Sequence, residues 1–279
     1  MHGFPSGVIE MLIVVKVGGR VLERGISPEL VLDVKKVFPK NQMVLVHGGG
    51  VEVTEMASKL GKKQEFVVSP GGFRSRYTDK DTIDIYTMVM AGKINKQIVS
   101  ALQSQGIQSV GLSGVDGFLV QAKRKKRLVA IDERGRKRVI DGGYTGTICS
   151  VNTQLLWLLV RNGYVPVIAP VAIGEGFEPL NVDGDRMAAY IAGALKADKL
   201  ILLTDVRGLM LDGRLVSRVS VPRIREVFSK IGHGMITKAY AAIEALERGV
   251  DEVIIASGLE NQPLSSALEH KCCTVIGHE

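Results

Sequence analysis

Residues 12–20 read LIVVKVGGR, a short and mostly β-branched run that ends in two glycines. Such a run fits a strand that is buried on both faces, and the glycines begin a loop directly after it. The same pattern returns in MVLVHGGG, residues 43–50. Two buried strands that each open into a glycine-rich loop are typical of a sheet whose ligands bind beyond the strand ends.

The rest of the chain repeats this alternation. Further strands are predicted at residues 109–112, 165–169, 200–204, 252–256 and 274–276, and helices at 28–38, 51–60, 80–105, 152–162, 186–196 and 237–248. Apolar strands alternating with helices predict an α/β fold, an αβα sandwich with a central, mostly parallel sheet covered on both faces. Residues 119–147 depart from the pattern and predict a β-hairpin. A second lobe is expected from residue 197, giving lobes 1–196 and 197–279.

Composition narrows the class of protein. Hydrophobic residues make up 46% and charged residues 23%, which does not fit extended disorder. The longest nearly apolar run, 165–174, is shorter than the ~20 residues of a membrane span, and the first twelve residues lack the pattern of a secretory signal. Cys149, Cys272 and Cys273 form no metal or disulfide pattern, so a cytoplasmic protein without structural zinc is expected.

The positive charge is concentrated in one segment. Residues 123–138 carry nine basic and two acidic side chains, a net +7 that equals the net charge of the whole chain. We interpret this segment as a docking surface for an acidic partner. A solvated, charged hairpin is the structural alternative, and nucleic-acid binding is less favoured because only Phe118 and Tyr144 lie near its ends as aromatics. The candidate docking residues are Lys123, Arg124, Lys125, Lys126, Arg127, Arg136, Lys137 and Arg138.

Two lysines have positions that suggest phosphate binding. Lys16 lies two residues before Gly18, where an ammonium group can reach phosphate oxygens bound by the loop. Lys238 begins a predicted helix after Gly234. Taken alone, Lys16 fits a lysine extending from a strand end, Lys238 a surface lysine and Asp185 a helix cap. Neither glycine loop has the spacing of a P-loop or of a dinucleotide-binding motif.

Taken in order, these segments resemble the amino acid kinase family, whose best-known relative here is N-acetylglutamate kinase. The resemblance covers nearly the whole chain from residue 12 and implies the carbamate kinase-like fold. It depends on seven blocks in sequence: VVKVGGR at 14–20, VHGGG at 46–50, RYTDKDT at 76–82, MVMAGKINKQIV at 88–99, EPLNVDGDRMAA at 178–189, KADKLILLTDVRGLM at 196–210 and GHGMITKAYAA at 232–242.

The resemblance implies roles for individual residues. Lys16 and Lys238 would hold the transferred phosphoryl group, and Asp185 would orient both lysines. Four glycine amides would act as donors, from Gly48 and Gly49 on the substrate side and from Gly18 and Gly19 on the nucleotide side. Arg76 would bind the substrate α-carboxylate, and Asn181 would contact its backbone atoms. The remaining nucleotide-binding residues would be Thr204, Asp205, Gly208, Gly234 and Met235.

The implied reaction is transfer of the γ-phosphoryl group of ATP to a side-chain carboxylate. A carboxyl group with a pKa of about 4.3 is already ionised at neutral pH, so the nucleophile needs no general base. The transition state does need charge neutralisation and in-line alignment. ATP with Mg²⁺ carried by the nucleotide is the expected cofactor, with no metal site formed by the protein alone.

The block RYTD, preceded by Phe73, Arg74 and Ser75, and the helix containing YTMVMAGKINK are similar to kinases of lysine and arginine biosynthesis that act on LysW-bound aminoadipate or glutamate. In those enzymes the substrate amino group is joined to the C-terminal glutamate of a small acidic carrier protein, LysW. The choice between the two substrates depends on room for one methylene group and stays open.

Two alternatives remain beside this hypothesis. One is a kinase of free N-acetylglutamate, and the other is a non-catalytic regulator that binds nucleotide and an effector. The regulator is disfavoured because Lys16, Lys238 and Asp185 are all present. The resemblance also implies a homodimer formed through the sheet and the helix at 80–105. No arginine inhibition is expected, since residues 1–10 are too few for the N-terminal helix of arginine-sensitive relatives.

Overall fold

A computed structural model describes residues 11–277, the side chains of residues 229 and 233 excepted. The expectations for residues 1–10 therefore lie outside the described residues. The strands within this range are β1 Met11–Val17, β2 Asn41–His47, β3 Phe66–Val68, β4 Arg74–Arg76, β5 Ser109–Ser113, β6 Val120–Arg124, β7 Arg127–Ile131, β8 Lys137–Asp141, β9 Gly146–Val151, β10 Val165–Ala169, β11 Val171–Ile173, β12 Pro179–Asn181, β13 Lys199–Thr204, β14 Met210–Leu211, β15 Arg214–Leu215, β16 Arg218–Ser220, β17 Glu252–Ser257 and β18 Cys273–Gly277.

The α-helices within the same range are α1 Pro28–Val37, α2 Gly50–Lys59, α3 Lys80–Thr87, α4 Asn95–Gln103, α5 Thr153–Arg161, α6 Gly184–Leu195, α7 Val221–Glu226, α8 His233–Glu247 and α9 Pro263–Leu268. A π-helical segment, Met88–Ile94, joins α3 to α4, and short 3₁₀ turns occur at Phe38–Lys40, Asp116–Phe118 and Phe228–Lys230.

The central sheet has eight strands in the order β16-β18-β17-β13-β1-β2-β10-β5. Every neighbouring pair is parallel except β17 and β18. The six strands β17, β13, β1, β2, β10 and β5 therefore run in one direction, and β16 and β18 run in the other. The predicted α/β fold with a mostly parallel sheet is confirmed. The carboxyl ends of β1, β2, β10 and β13 consequently meet at one edge, which is where ligands bind in such sheets.

Each face of this sheet carries its own apolar core. On β1, Leu12 and Val14 pack in the core that includes α5, α6 and α8, while Ile13 and Val15 pack in the core that includes α1 to α4 and α9. Because successive strand residues point to opposite faces, Lys16 lies on the same face as Leu12 and Val14. Its side chain is thereby directed toward α6.

The excursion between β5 and α5 is a hairpin, as the sequence predicts. Strands β7 and β8 pair in antiparallel register from Arg127↔Asp141 to Ile131↔Lys137. They extend from β6 and β9, which belong to a four-stranded sheet with β11 and β12.

The single helix predicted over 80–105 is wrong in its middle. Residues Met88–Ile94 form a π-helical turn between α3 and α4. The segment still buries Val89, Met90 and Ile94, so it stays apolar on one side although its turns are wider than those of an α-helix. The prediction from periodicity therefore gave the extent of the helix and missed the change in its geometry.

Among the described residues, none of the helices combines the length and the hydropathy that crossing a bilayer requires. The three cysteines are unpaired thiols, with Cys149 and Cys272 exposed and Cys273 buried.

Candidate active site

The site is built around one buried carboxylate between two lysines. Lys16 Nζ lies 2.6 Å from Asp185 Oδ1, and Lys238 Nζ lies 3.2 Å from Asp185 Oδ2. The side chains are 8%, 13% and 6% exposed for Lys16, Lys238 and Asp185. The three residues come from different elements, β1, α8 and the first turn of α6, and the structure brings them together as the resemblance implied.

Asp185 is held in its ionised form by the two lysines. Burial opposes ionisation of this carboxyl group, but the charges and hydrogen bonds of Lys16 and Lys238 outweigh it and lower the pKa of Asp185 to about 2. Burial likewise lowers the pKa of Lys238, but the carboxylate of Asp185 raises it by more, so the net shift is upward. At neutral pH the cluster therefore contains an ionised Asp185 and a protonated Lys238, with Lys16 as its second basic group.

The excess positive charge of this cluster lies beside helix N-termini. Asp183 caps α6, its carboxylate accepting a hydrogen bond of 2.9 Å from the backbone N–H of Arg186. A Cβ atom built on Gly184 would lie 3.5 Å from Lys16 Cε and 3.7 Å from the carbonyl oxygen of His47, which precedes α2. Lysine ammonium groups and N-terminal amides in one place form a binding site for anions.

The two glycine loops are packed directly against each other. A Cβ atom on Gly48 would come within 2.7 Å of the backbone nitrogen of Gly19, and one on Gly19 within 2.9 Å of that of Gly49. Gly48 also donates a 2.8 Å hydrogen bond to Val17, and Gly18 a 2.9 Å bond to Leu203. Glycine is required here because the two backbones approach more closely than any side chain allows.

A cavity of about 510 Å³ opens from the lysines toward the second half of the chain. This volume lies within the ~300–1,000 Å³ range of small-molecule sites. Its lining contains all of the residues predicted to bind nucleotide, namely Gly18, Gly19, Thr204, Asp205, Gly208, Gly234 and Met235, together with Lys16 and Lys238. The first turn of α8 contributes Gly234 and Met235, so a helix N-terminus also faces this cavity.

Further residues line the same cavity without having been predicted to bind nucleotide: Arg20, Met210, Lys230, Ile231 and Gly232. Arg20 Nη1 lies 2.6 Å from Asp205 Oδ2 and so joins the loop after β1 to the loop after β13. Arg20 is the last residue of the block VVKVGGR, which could have drawn attention to it. Lys230 belongs to none of the blocks, and nothing in the sequence marked it.

The residues predicted to bind the acceptor form a second group, near the N-terminus of α2. Arg76 is 7% exposed, and its Nη2 donates hydrogen bonds of 2.7 Å to the carbonyl oxygen of Gly50 and 2.8 Å to Thr54 Oγ1. Asn181 Nδ2 donates to Thr78 Oγ1 at 2.9 Å, and Thr78 Oγ1 in turn donates to the Arg76 carbonyl oxygen at 3.1 Å. Arg76 and Asn181 are therefore linked through Thr78, although they are distant in the sequence.

His47 was not predicted as a site residue, yet it is 1% exposed and adjoins the lysines. Its Nδ1 donates to the carbonyl oxygen of Gly48 at 2.9 Å, and its Nε2 accepts from Asn95 Nδ2 at 3.3 Å. Burial, with the positive charges of Lys16 and Lys96, lowers the pKa of His47 to about 4. His47 is thus a neutral ring that fixes the start of the glycine loop.

The basic hairpin lines a different cavity from the one that contains the lysine pair. Arg136 Nη2 and Arg138 Nε lie 3.1 and 3.0 Å from Asp132 Oδ2, so these two arginines are partly neutralised. Lys126, Arg127 and Lys137 are exposed, and among the described residues no ion pair involves them. A cleft of about 380 Å³ at the base of the hairpin is lined by Arg124, Lys125, Lys126, Asp141, Glu175, Gly176 and Glu178.

Residues 11–257 match the family model described as the amino acid kinase family. The chain belongs to the amino acid kinase family. This match includes every residue of the lysine–aspartate cluster and of both glycine loops.

Relatives within the amino acid kinase family have specific names. The LysW-aminoadipate/LysW-glutamate kinase of Sulfolobus acidocaldarius is 47% identical over 261 residues, covering 93% of this chain and 98% of that protein. A Metallosphaera sedula protein of the same name is 48% identical over 258 residues, covering 92% and 97%. A Cenarchaeum symbiosum protein, which has this name as a provisional assignment, is 53% identical over 266 residues, covering 95% and 99%.

Solved structures agree in fold with this member of the amino acid kinase family. Carbamate kinase from Giardia lamblia bound to AMP-PNP has a TM-score of 0.67 and 16% identity, covering 99% of this chain and 100% of that chain. N-acetylglutamate synthase from Neisseria gonorrhoeae has a TM-score of 0.79 and 24% identity, covering 96% of this chain and 60% of that chain. The predicted carbamate kinase-like fold is confirmed.

Proposed function

We propose that this protein is an ATP-dependent kinase that phosphorylates the side-chain carboxylate of LysW-bound 2-aminoadipate or glutamate in lysine or arginine biosynthesis. The observation that carries the chemistry is the pair of ammonium groups, Lys16 and Lys238, held on the single buried carboxylate of Asp185. The substrate assignment is supported by the names of relatives at 47 and 48% identity over more than nine-tenths of the chain.

The residues present fit ATP. The cavity of about 510 Å³ presents glycine backbones, a helix N-terminus and two lysines on one side, which are the groups that bind phosphate chains. When bound, the nucleotide supplies the γ-phosphoryl group, and Mg²⁺ held by its phosphate oxygens offsets part of their charge. We assign the adenosine end to the Thr204, Asp205 and Gly208 side of the cavity.

The protein then acts by position and charge. Lys16 on β1 and Lys238 on α8 approach the Asp185 carboxylate from different elements, so they can contact a phosphoryl group from two sides while Asp185 keeps them oriented. The amides of Gly18 and Gly19 donate to the phosphate chain of the nucleotide. Those of Gly48 and Gly49 donate to the acceptor, which Arg76 and Asn181 align. Fixed donors of this kind stabilise the charge that develops in the transition state.

The basic hairpin supplies the second part of the proposal. Its exposed charges, above all Lys126, Arg127 and Lys137, attract an acidic carrier and set its orientation, while the attached substrate reaches the Arg76 side of the site. A free metabolite has no use for a surface of this size. We further propose a cytoplasmic homodimer with two lobes, 1–196 and 197–279, which does not bind nucleic acid or membranes.

A direct competition between acceptors tests the substrate. ATP consumption is measured with carrier-bound aminoadipate, carrier-bound glutamate and free N-acetylglutamate, at low and at high salt. We expect turnover of a carrier-bound acceptor with a KM that rises steeply with salt, because salt screens the hairpin charges. Equal turnover of free N-acetylglutamate without a salt effect would overturn the proposal in favour of an N-acetylglutamate kinase.

Charge reversal on the hairpin distinguishes its role in carrier binding from the role of the catalytic site. The triple variant Lys126→Glu, Arg127→Glu and Lys137→Glu is expected to raise the KM for the carrier about 10-fold or more while kcat changes little. A matched control reverses three exposed lysines at the opposite edge of the sheet, Lys35, Lys40 and Lys59. An equal effect of both triple variants contradicts docking at the hairpin.

The regulator alternative is tested at Lys16. Lys16→Ala is expected to abolish turnover while nucleotide binding persists. A wild-type protein that binds ATP and an effector but turns over no acceptor supports the non-catalytic regulator instead.

A further inference from the structure

Three aromatic rings form a continuous row between the acceptor side and the nucleotide side of the site. The centroids of Phe73 and Tyr240 lie 5.0 Å apart with their planes at 57°, and those of Tyr240 and Phe228 lie 4.6 Å apart at 26°. Both separations are those of favourable aromatic pairs. We name Phe73, Tyr240 and Phe228 the aromatic bridge.

The first ring is fixed at the tip of the β3–β4 hairpin. Ser69 and Phe73 close the turn through two hydrogen bonds, Ser69 N to the Phe73 carbonyl oxygen at 2.9 Å and Phe73 N to Ser69 Oγ at 3.2 Å. A Cβ atom on Gly71 would lie 3.2 Å from the Phe73 ring, so the turn also packs on the ring face. Phe73 therefore moves with the hairpin as one unit.

The same hairpin carries the acceptor-side arginine. Strand β4 ends at Arg76, and the guanidinium groups of Arg74 and Arg76 lie 4.0 and 4.9 Å from the centroid of Phe66 on β3. A displacement of the hairpin tip would thus be transmitted to Arg76 and to its hydrogen bonds with Gly50 and Thr54.

The other two rings belong to nucleotide-side elements. Tyr240 lies two residues after Lys238 on α8, and it is 39% exposed, so its ring is not a buried part of the core. Phe228 begins the turn that leads into Lys230, Ile231 and Gly232, which line the cavity of about 510 Å³. Contacts among the three rings therefore join the hairpin that carries Arg76, the helix that carries Lys238 and the turn at the cavity wall.

We propose that the aromatic bridge couples binding of the acceptor to binding of the nucleotide, with Tyr240 as a positioning residue rather than a catalytic one. Ordering of the hairpin by an acceptor carboxylate on Arg76 holds Phe73 against Tyr240, and Tyr240 holds α8 and the Phe228 turn in the arrangement that binds nucleotide. This inference rests on the proposed function for the identity of the two ligands.

The expected size of the coupling between acceptor and nucleotide binding follows from the aromatic contacts. One aromatic pair is worth a factor of about 2 to 12 in an equilibrium constant. Coupling is reciprocal, so the bridge must change nucleotide affinity in the presence of acceptor and acceptor affinity in the presence of nucleotide by the same factor. Loss of the bridge is expected to reduce that coupling factor about 3- to 10-fold.

Calorimetry measures this factor directly. The affinity for AMP-PNP is determined with and without saturating carrier-bound glutamate for the wild type, Tyr240→Ala, Phe73→Leu and the double variant. We expect the ratio of the two affinities to fall about 3- to 10-fold in each single variant, and no further in the double variant, because both changes break one connection. Tyr240→Phe, which keeps the ring, is expected to retain the wild-type ratio.

The control is Tyr164→Ala, a truncation of the same kind before β10, at the sheet edge opposite the site. A ratio unchanged within twofold in both Tyr240→Ala and Phe73→Leu overturns the inference, as does an equal fall in Tyr164→Ala. Failure of the wild type to bind both carrier-bound glutamate and carrier-bound aminoadipate would contradict the proposed function instead. The bridge is then tested with free N-acetylglutamate as the acceptor, with the same expected and opposing results.

Discussion

Asp185 is the residue on which the charge of the site depends. One carboxylate contacts two ammonium groups and is almost completely buried. Burial lowers the pKa of Lys238, and the carboxylate of Asp185 raises it by more. A buried ion pair is costly to break, because removal of one partner leaves a buried charge uncompensated. Asp185 therefore sets the position of both lysines and the protonation of Lys238.

Asp185→Asn is expected to lower kcat on the order of 10²–10³-fold, since the charges that face the phosphoryl group lose their orientation. It is also expected to shift the alkaline limb of the pH–rate profile to lower pH. The sign follows from Lys238, whose pKa is raised by Asp185 against the opposing effect of burial. With the carboxylate gone, burial is opposed only by the smaller contributions of Asp183 and Asp205, so Lys238 deprotonates at lower pH.

The control for this prediction is the neighbouring acid. Asp183→Asn keeps a side-chain oxygen that can cap α6 and is expected to move the alkaline limb less than Asp185→Asn does, because Asp183 raises the pKa of Lys238 by less than Asp185. Superimposable pH–rate profiles for the two variants would remove Asp185 from its proposed role.

The buried His47 gives the folded protein a pH-dependent stability. Its pKa is lowered to about 4 in the folded state, whereas an unfolded histidine titrates near ~6.5. The unfolded chain therefore takes up a proton first as the pH falls. The stabilisation by neutral His47 is complete above pH ~6.5 and is lost progressively toward pH ~4, an effect on the order of 2–3 kcal/mol between pH 7 and 4.5.

His47→Asn removes this titration and keeps a donor near the position of Nδ1. We measure the free energy of unfolding by urea titration at pH 7 and at pH 4.5. Between these two pH values it is expected to fall on the order of 2–3 kcal/mol less in the variant than in the wild type. Comparison of the two slopes cancels the other titrating groups. Equal slopes in the two proteins would contradict a buried, neutral His47.

At the scale of elements, the contact between α2 and the π-helical segment governs the second glycine loop. Gly49 has φ +152° at the N-terminus of α2, a conformation that other residues rarely adopt. A Cβ atom there would overlap the Ile94 side chain and lie 3.0 Å from Met90 Sδ, both in the π-helical segment. The π-helix therefore forms the wall behind the loop that we assign to acceptor binding.

Gly49→Ala is expected to cost about 2–4 kcal/mol of unfolding free energy, because backbone strain and overlap add. Adding Ile94→Val removes the overlapping methyl group and should recover only the steric part, leaving about 1–2 kcal/mol of strain. Thermal and urea unfolding measure both changes.

Gly92→Ala serves as the control, since a Cβ there meets nothing within 4 Å, and it should not destabilise the protein. Complete recovery by Ile94→Val would show that strain at Gly49 is negligible.

The elements show how far sequence reasoning reaches. Period-two and near-continuous apolar runs predict strands such as β1 and β10 within a residue, because burial on both faces requires them. The same patterns do not show which distant residues meet. The pairing of Arg20 with Asp205 spans 185 residues, and the link from Asn181 to Thr78 spans 103. Such pairs follow from strand order, which composition and periodicity leave undetermined.

The site was predictable to a similar degree. The resemblance assigned roles to Lys16, Asp185 and Lys238. It assigned none to Lys230, His47 or the residues of the aromatic bridge. His47 lies inside the block VHGGG, but the pattern gives no reason to expect a buried neutral ring. Aromatic contacts such as Phe73 with Tyr240 join residues whose local sequence is unremarkable, so only the packing of a hairpin on a helix shows them.

At the scale of the whole molecule, the edge strand β5 of the central sheet offers a surface for a second copy of this chain. Strand β5 is the last in the sheet order, and its residues 110–112 are half-buried. Next to it, the π-helical segment begins at Met88, whose side chain is 58% exposed. Proteins rarely leave a sheet edge beside exposed apolar surface, because it invites association. This surface is where we expect the proposed homodimer to form.

Met88→Glu is expected to weaken that dimer about 100-fold, since a charge buried in an apolar contact lacks a partner. Sedimentation at micromolar concentration should then give the mass of one chain, against two for the wild type. The control is Leu158→Glu on α5, a side chain 62% exposed on the other face of the sheet, which should remain dimeric. A wild-type monomer would contradict the proposed homodimer, and a Met88→Glu dimer of unchanged affinity would place its interface elsewhere. Loss of activity without loss of the dimer would instead indicate a disturbance of Met90 and Ile94, which form the wall behind Gly49.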